Sequence, residues 1–224
     1  DAKKGKIFSR IAKEIISAVK VGGPDPKANT RLRLAIIKAR ESNLPTEIIE
    51  RNIKKASSAD QADFTEMTYE LYGHGGVGII AEVMTDNKNR ISSEMRIATN
   101  KRGGVIASPG AVAFNFDRKG VLQIPKKPEI EEKLFLAATE AGAEDFEAVE
   151  DMFVITTDPM DLYAVKEAIA KAGFECTEAS LEMIPKVTVD CDPETAKSNL
   201  ALIDWLEQLE DVDCVYHNMT DSDE

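Results

Sequence analysis

Hydrophobic positions recur at helical spacing in the first part of the chain. In "KIFSRIAKEIISAVKV", Lys6 to Val21, the residues Ile7, Phe8, Ile11, Ile15, Ile16 and Val19 fall on one face, which predicts an amphipathic helix. "GGPDPKAN" then supplies two glycines and two prolines, a turn. A second helix is predicted over "TRLRLAIIKARESN", with Asn29 or Thr30 as its cap. A third comes over "PTEIIERNIKKA", where Pro45 suits the first turn, Glu47 sits at the positive end of the dipole and Lys54 and Lys55 at the negative end. Three short helices make a small bundle, and the polar run "SSADQAD" reads as the boundary to the next domain.

Beyond that boundary the periodicity alternates between strand and helix. The pattern predicts a strand over 77–85, a helix over 88–102, strands over 111–117 and 120–124, and a helix over 129–142. Strands near 145–150 and 152–157, a helix over 159–172 and a strand from Phe174 come next. A strand near Lys186 to Cys191, a helix over 193–209 and a strand over 212–218 finish the chain. Asp158-Pro159 and Asp192-Pro193 are cap-then-proline helix starts, and Gly142 and Gly173 come just after helix ends. The order strand–helix–strand, strand–helix–strand is the ferredoxin-like signature, and there is chain enough for two such units. The expected class is therefore α+β: a helical domain over 1–60, a discontinuous α+β domain over 68–127 plus 186–220, and an α+β domain over 128–185 inserted in it. The last helix and strand would complete the sheet begun at Val77.

Charge changes the picture more than composition does. The formal net charge of -12 disfavours a phosphate partner, yet residues 1–55 hold 14 Lys and Arg against 6 Asp and Glu, a net of +8. On the first helix Lys6, Arg10, Lys13 and Lys20 lie within about 80° of one another, opposite the apolar stripe, with Lys3 joining them if the helix begins early. Only Glu14 interrupts them, whereas a merely solvated face carries interspersed acids. With Lys4, with Arg31, Arg33, Lys38 and Arg40 of the second helix and with Lys54 and Lys55 of the third, they form the expected nucleic-acid-binding set. No window is apolar enough to span a membrane and no secretory leader opens the chain, which points to a cytoplasmic protein. Cys176, Cys191 and Cys214 are too far apart in sequence for a zinc knuckle or redox pair.

Two loops invite chemistry. Gly73-His74-Gly75-Gly76-Val77-Gly78 fits the letters of a dinucleotide fingerprint, but that motif needs a helix after its glycines, and "IIAEVMT" is a strand. A backbone turn is the plainer reading, with His74 a hydrogen-bonded loop residue. "TDNKNR", Thr85 to Arg90, places Lys88 and Arg90 at the start of a helix, where cations oppose the dipole; a phosphate would account for them. The acid-rich runs "AEDFEAVED" and "DSDE" read as solvated, Trp205 as core, and no constellation of nucleophile, base or metal ligands emerges. No cofactor, metal or small-molecule substrate is expected, and no base-reading set at adjacent helical turns is evident.

"DAKKGKIFSRIAKEI", "GGPDPKANTRLRLAIIKARESNLPTEIIERNIKKA", "YELYGHGGVGIIAEVMTDNKNRISSEMRIATNKRGG" and "SPGAVAFNF" closely resemble the YebC family, bacterial relatives of a mitochondrial translational activator of cytochrome oxidase. The resemblance runs in order to about Tyr216. It implies a three-domain, cytoplasmic, non-enzymatic protein, helical at its N-terminus, with the third domain inserted in the second. It carries Lys4, Lys6, Arg10, Arg31 and Arg33 over as motif residues, together with Tyr72, Gly73, Gly75, Gly76, Thr85, Asp86, Asn87, Asn89 and Arg90 around the glycine loop. His74 stands where many relatives have proline. The family's short basic segment containing Gly-His-Ser-Lys-Trp does not occur in the sequence, and no role is carried over from it. Members are described as transcriptional regulators that bind promoter DNA, and others as ribosome-associated factors that help translation through proline-rich stretches. The expected function is thus a DNA-binding regulator, with a ribosomal-RNA-binding translation factor as the alternative.

Overall fold

The structure, a computed structural model, describes residues 2–58 and 63–220, with side chains from residue 5 onward. It divides into two compact units: residues 1–112 with 189–224, and residues 113–188, so the chain leaves the first unit and returns to it.

The first unit opens with three helices, α1 (Ala2–Gly22), α2 (Thr30–Glu41) and α3 (Thr46–Ala56). Ile11, Ile15, Val19, Leu32, Ile36, Leu44 and Ile49 are buried together, the convergence of three apolar stripes into one core. Asn29 is the cap that joins α1 to α2. Its Oδ1 accepts from the Leu32 N–H at 3.1 Å while its Nδ2 donates to the carbonyls of Ala18 and Gly23 at 2.8 and 2.9 Å.

Next in the unit is a four-stranded antiparallel sheet, built from β1 (Thr65–Tyr72), β2 (Gly78–Thr85), β3 (Val105–Ile106) and β8 (Val212–His217), in the order β3-β1-β2-β8. Period-2 alternation sends Ile79, Ala81 and Val83 to one face, where Ile91, Met95 and Ala98 of α4 (Lys88–Arg102) and Leu202, Ile203 and Leu206 of α7 (Pro193–Gln208) cover them. Asn87 caps α4 by accepting from the Arg90 N–H at 3.0 Å, and Asp192 caps α7 by accepting from the Thr195 N–H at 2.7 Å. The strand β1 is not among the expected elements, although Met67, Tyr69 and Leu71 alternate with polar residues.

The second unit runs β4 (Phe116–Pro125), α5 (Glu131–Glu140), β5 (Asp145–Val149), β6 (Met152–Thr157), α6 (Leu162–Lys171) and β7 (Glu178–Pro185). Its antiparallel sheet has the order β5-β6-β4-β7, the ferredoxin-like arrangement, with Leu122, Ile124, Phe153 and Ile155 packed under Leu134, Val165 and Ile169. Three expectations are corrected here. Residues 116–125 form one strand and pair in this second sheet, so the inserted unit begins near residue 113 rather than 128. The first part of the expected strand over 111–117, residues 111–115, is instead a turn, in which the carboxylate of Glu70 takes the N–H groups of Gly110 and Val112 at 2.6 and 3.0 Å. Similarly, the expected strand near 186–191 reduces to a single bridge between Val189 and Met219.

Candidate nucleic-acid interface

The cationic face of α1 does not look outward. Lys6 donates to the Leu209 carbonyl at 3.1 Å, Arg10 to the Cys214 Sγ at 2.6 Å, and Lys13 to the carbonyls of Met84 and Glu210 at 3.3 and 3.0 Å, with Asp213 at 4.0 Å. Lys13 is only 7% exposed. These groups seat α1 against β2, β8 and the turn before β8. Burial holds the Lys6 ammonium below the usual lysine range and pushes the Asp213 carboxyl up, the latter opposed by the charges of Lys13, Arg10 and Lys6. Burial also raises the Cys214 thiol and the Tyr216 phenol.

Three more expected phosphate contacts are held by carboxylates. Lys20 pairs with Asp63 at 2.7 Å, and Arg31 with Glu14 at 2.8 Å and Glu66 at 3.1 Å. Arg90 bonds Asp86 at 2.7 Å and Asp211 at 2.9 Å. The side chain of Asp211 is 4% exposed and also accepts from Thr85 Oγ1, so a cation at the start of α4 is required by a buried carboxylate rather than by a phosphate. The hydrogen bonds to Arg90 hold the Asp86 carboxyl below its usual range.

What remains outward is a smaller set. Arg40, Lys54 and Lys55 are exposed and have no side-chain partner among the described residues. Arg33 is exposed and makes only long bonds, 3.3 Å to the Pro26 carbonyl and 3.4 Å to Thr30. Lys38 is half-buried, and Lys88 is exposed at the start of α4. The side chains of Lys3 and Lys4 lie outside the described residues. Arg51, one turn before Lys55 on α3, is exposed and unpartnered in the same sense, and helical spacing from Lys54 and Lys55 would have found it.

The glycine loop is a structural clamp. The Gly73 N–H donates to the Val77 carbonyl at 2.8 Å, the His74 N–H to Asn199 Oδ1 at 2.7 Å and the Gly78 N–H to Asn218 Oδ1 at 2.7 Å, which commits three donors that a phosphate would need. Asn199, fully buried on α7, returns a bond from its Nδ2 to the His74 carbonyl at 2.9 Å. His74 Nε2 lies 2.8 Å from the Arg102 carbonyl, closing the loop onto the end of α4. A side chain at Gly73 would strike Asn199, and one at Gly103, where φ is +80°, would strike the His74 ring. Gly75 and Gly76 are exposed, and Tyr72 is part-exposed with its hydroxyl donating to the Ala111 carbonyl at 3.2 Å. Among the described residues no group of His, Cys, Asp or Glu could hold a metal ion.

Residues 1–59 match the TACO1/YebC protein N-terminal domain, and residues 64–219 match the TACO1/YebC second and third domain. The chain belongs to the TACO1/YebC family. It is 75% identical to a "probable transcriptional regulatory protein" of Protochlamydia amoebophila, over 98% of this chain and 89% of that one. It is 57% identical to a protein of the same name from Chlamydia muridarum, over 98% and 93% of the two chains. A conserved hypothetical protein of Aquifex aeolicus, known from its crystal structure, superposes with a TM-score of 0.88 at 42% identity, covering 100% of this chain and 93% of that one. Family membership accounts for the helical domain and the two α+β sheets after it.

Proposed function

We propose that this TACO1/YebC protein is a non-enzymatic, cytoplasmic regulator of gene expression that binds DNA through the outward cations of α2 and α3. The observation that carries the reading is the division of charge: Lys6, Arg10, Lys13, Lys20, Arg31 and Arg90 are engaged by groups of the fold, while Arg33, Arg40, Arg51, Lys54 and Lys55 are presented to solvent. Exposed cations that are not held in ion pairs attract a polyanion and release its counterions on binding. The relatives' names supply the transcriptional context. No helix among the described residues is long and apolar enough to cross a membrane.

One observation favours a second reading, a ribosomal-RNA-binding translation factor. The first turns of α3 expose Glu47 and Glu50, and carboxylates at the leading end of a helix repel the phosphates flanking a major groove. Recognition by shape, the usual mode for structured RNA, does not need that end. Cross-linking the protein in cells and sequencing the bound nucleic acid separates the two. Enrichment of promoter DNA supports the first, enrichment of ribosomal RNA supports the second, and recovery of neither overturns the proposal.

A further inference from the structure

The exposed side of α4 carries a row of hydrogen-bonding side chains. At 100° per residue Asn89, Ser93, Arg96 and Asn100 fall within about 60° of one another, opposite the buried residues Ile91, Met95 and Ala98. The row is roughly 16 Å long at 1.5 Å per residue. All four side chains are exposed and none has a partner among the described residues. Lys88 and Lys101 stand exposed near the two ends, and the one carboxylate of the helix, Glu94, lies away from the row and half-buried. An exposed helix face commonly mixes Glu with Lys for solubility, and this one holds amides, a hydroxyl and a guanidinium instead.

We propose that this row is a docking surface for double-helical RNA of A form, laid along its minor groove. Two features select that occupant. Amide and hydroxyl groups donate and accept, as does the ribose 2′-hydroxyl, and Arg96 with the two terminal lysines complements phosphate on either side. The second feature is shape. Because α4 lies in a layer on the sheet with α7 packed beside it, only its side chains project, so it cannot sink into a DNA major groove about 8.5 Å deep. A wide, shallow groove is what such a low ridge fits. Exposed Asp204 and Glu207 on α7 also disfavour a partner that wraps closely around both helices.

The inference rests on the nucleic-acid reading above and adds a second surface to it. Its test is a titration of the full chain against a fluorescein-labelled RNA duplex of about 20 base pairs and a DNA duplex of the same sequence. Three proteins are compared: the unaltered chain, the ridge variant Arg96→Ala/Asn100→Ala, and the helical-domain variant Arg40→Gln/Lys54→Gln/Lys55→Gln. Every substituted residue is exposed, and circular dichroism verifies that each variant is folded. The expected result is that the ridge variant loses RNA affinity by about tenfold or more, the effect of removing one or two charge-assisted bonds, with DNA affinity changed less than threefold. Equal losses on both duplexes, or a larger loss on DNA, would overturn the assignment to A-form RNA. Unchanged RNA affinity in the ridge variant beside weakened binding in the helical-domain variant would remove this surface and leave the nucleic-acid reading standing. If the unaltered chain binds neither duplex, both fall.

Discussion

Lys13 brings its charge to a place where oxygens receive it: the carbonyls of Met84 and Glu210, with the Asp213 carboxylate one step further off at 4.0 Å. Replacing it by alanine leaves two acceptors and a half-buried acid without their cation. Lys13→Ala should therefore lower the unfolding free energy by about 2–4 kcal/mol, read as a shift in the urea midpoint. An unshifted midpoint would mean that the lysine is idle. The groups nearby give a second expectation. Burial raises both the Cys214 thiol and the Tyr216 phenol, so the folded state keeps protons that the unfolded chain releases near the ordinary values of about 8.5 and 10. That contribution to stability is complete below the unfolded thiol's value and is lost progressively as pH rises toward the folded values. Urea midpoints should decline from about pH 8.5 upward, more steeply for the unaltered chain than for Cys214→Ser/Tyr216→Phe. Parallel declines would contradict the assignment. Neither role was legible in the sequence, because charge spacing identifies a cationic helix face and says nothing about which surface that face meets.

At the scale of elements, the Asn199 amide on α7 holds the glycine loop by both its donor and its acceptor, and the His74 ring holds the loop to the end of α4. Asn199→Ala leaves the half-buried N–H and carbonyl of His74 without their partner, and should cost about 1–3 kcal/mol in thermal or urea unfolding. Gly103→Ala should destabilise as well, through its positive φ and its collision with the His74 ring, and pairing it with His74→Ala should recover part of the loss. Additive losses would show that ring and glycine are not coupled. The loop's true role was half legible: the strand after Gly78 excluded a phosphate, but a clamp residue more than a hundred positions away leaves no local signal. Helices are legible because caps and periodicity are local, as at Asn29 and Asp192. The strand β1 escapes the pattern reading although it alternates, and 111–117 reads as a strand because its apolar run hides the fact that Glu70 takes its N–H groups. Arg90 misleads for a related reason, since the carboxylate that explains it, Asp211, is distant in sequence.

For the molecule as a whole, the sequence revealed how unevenly charge is spread and the structure shows how much of it is spent inside. The second unit holds 16 acidic and 8 basic residues over 113–188, so a polyanion has little to gain there, and the cations of α1 are absorbed by the sheet of the first unit. The division of the chain into helical and α+β parts was legible from the change of period near residue 60. The assignment of 116–125 to the second sheet was not, since strand partners are chosen by the folded topology rather than by pattern. The remaining outward cations make a quantitative expectation. Binding of a DNA duplex by the full chain is to be measured as a function of salt and compared with that of Arg40→Gln/Lys54→Gln/Lys55→Gln. If these three residues meet phosphate, the slope of log affinity against log salt should become shallower by roughly 2.7, about 0.9 for each phosphate no longer neutralised. A slope and an affinity that do not change would contradict the account, because three of the outward cations it assigns to phosphate would then make no contact with one.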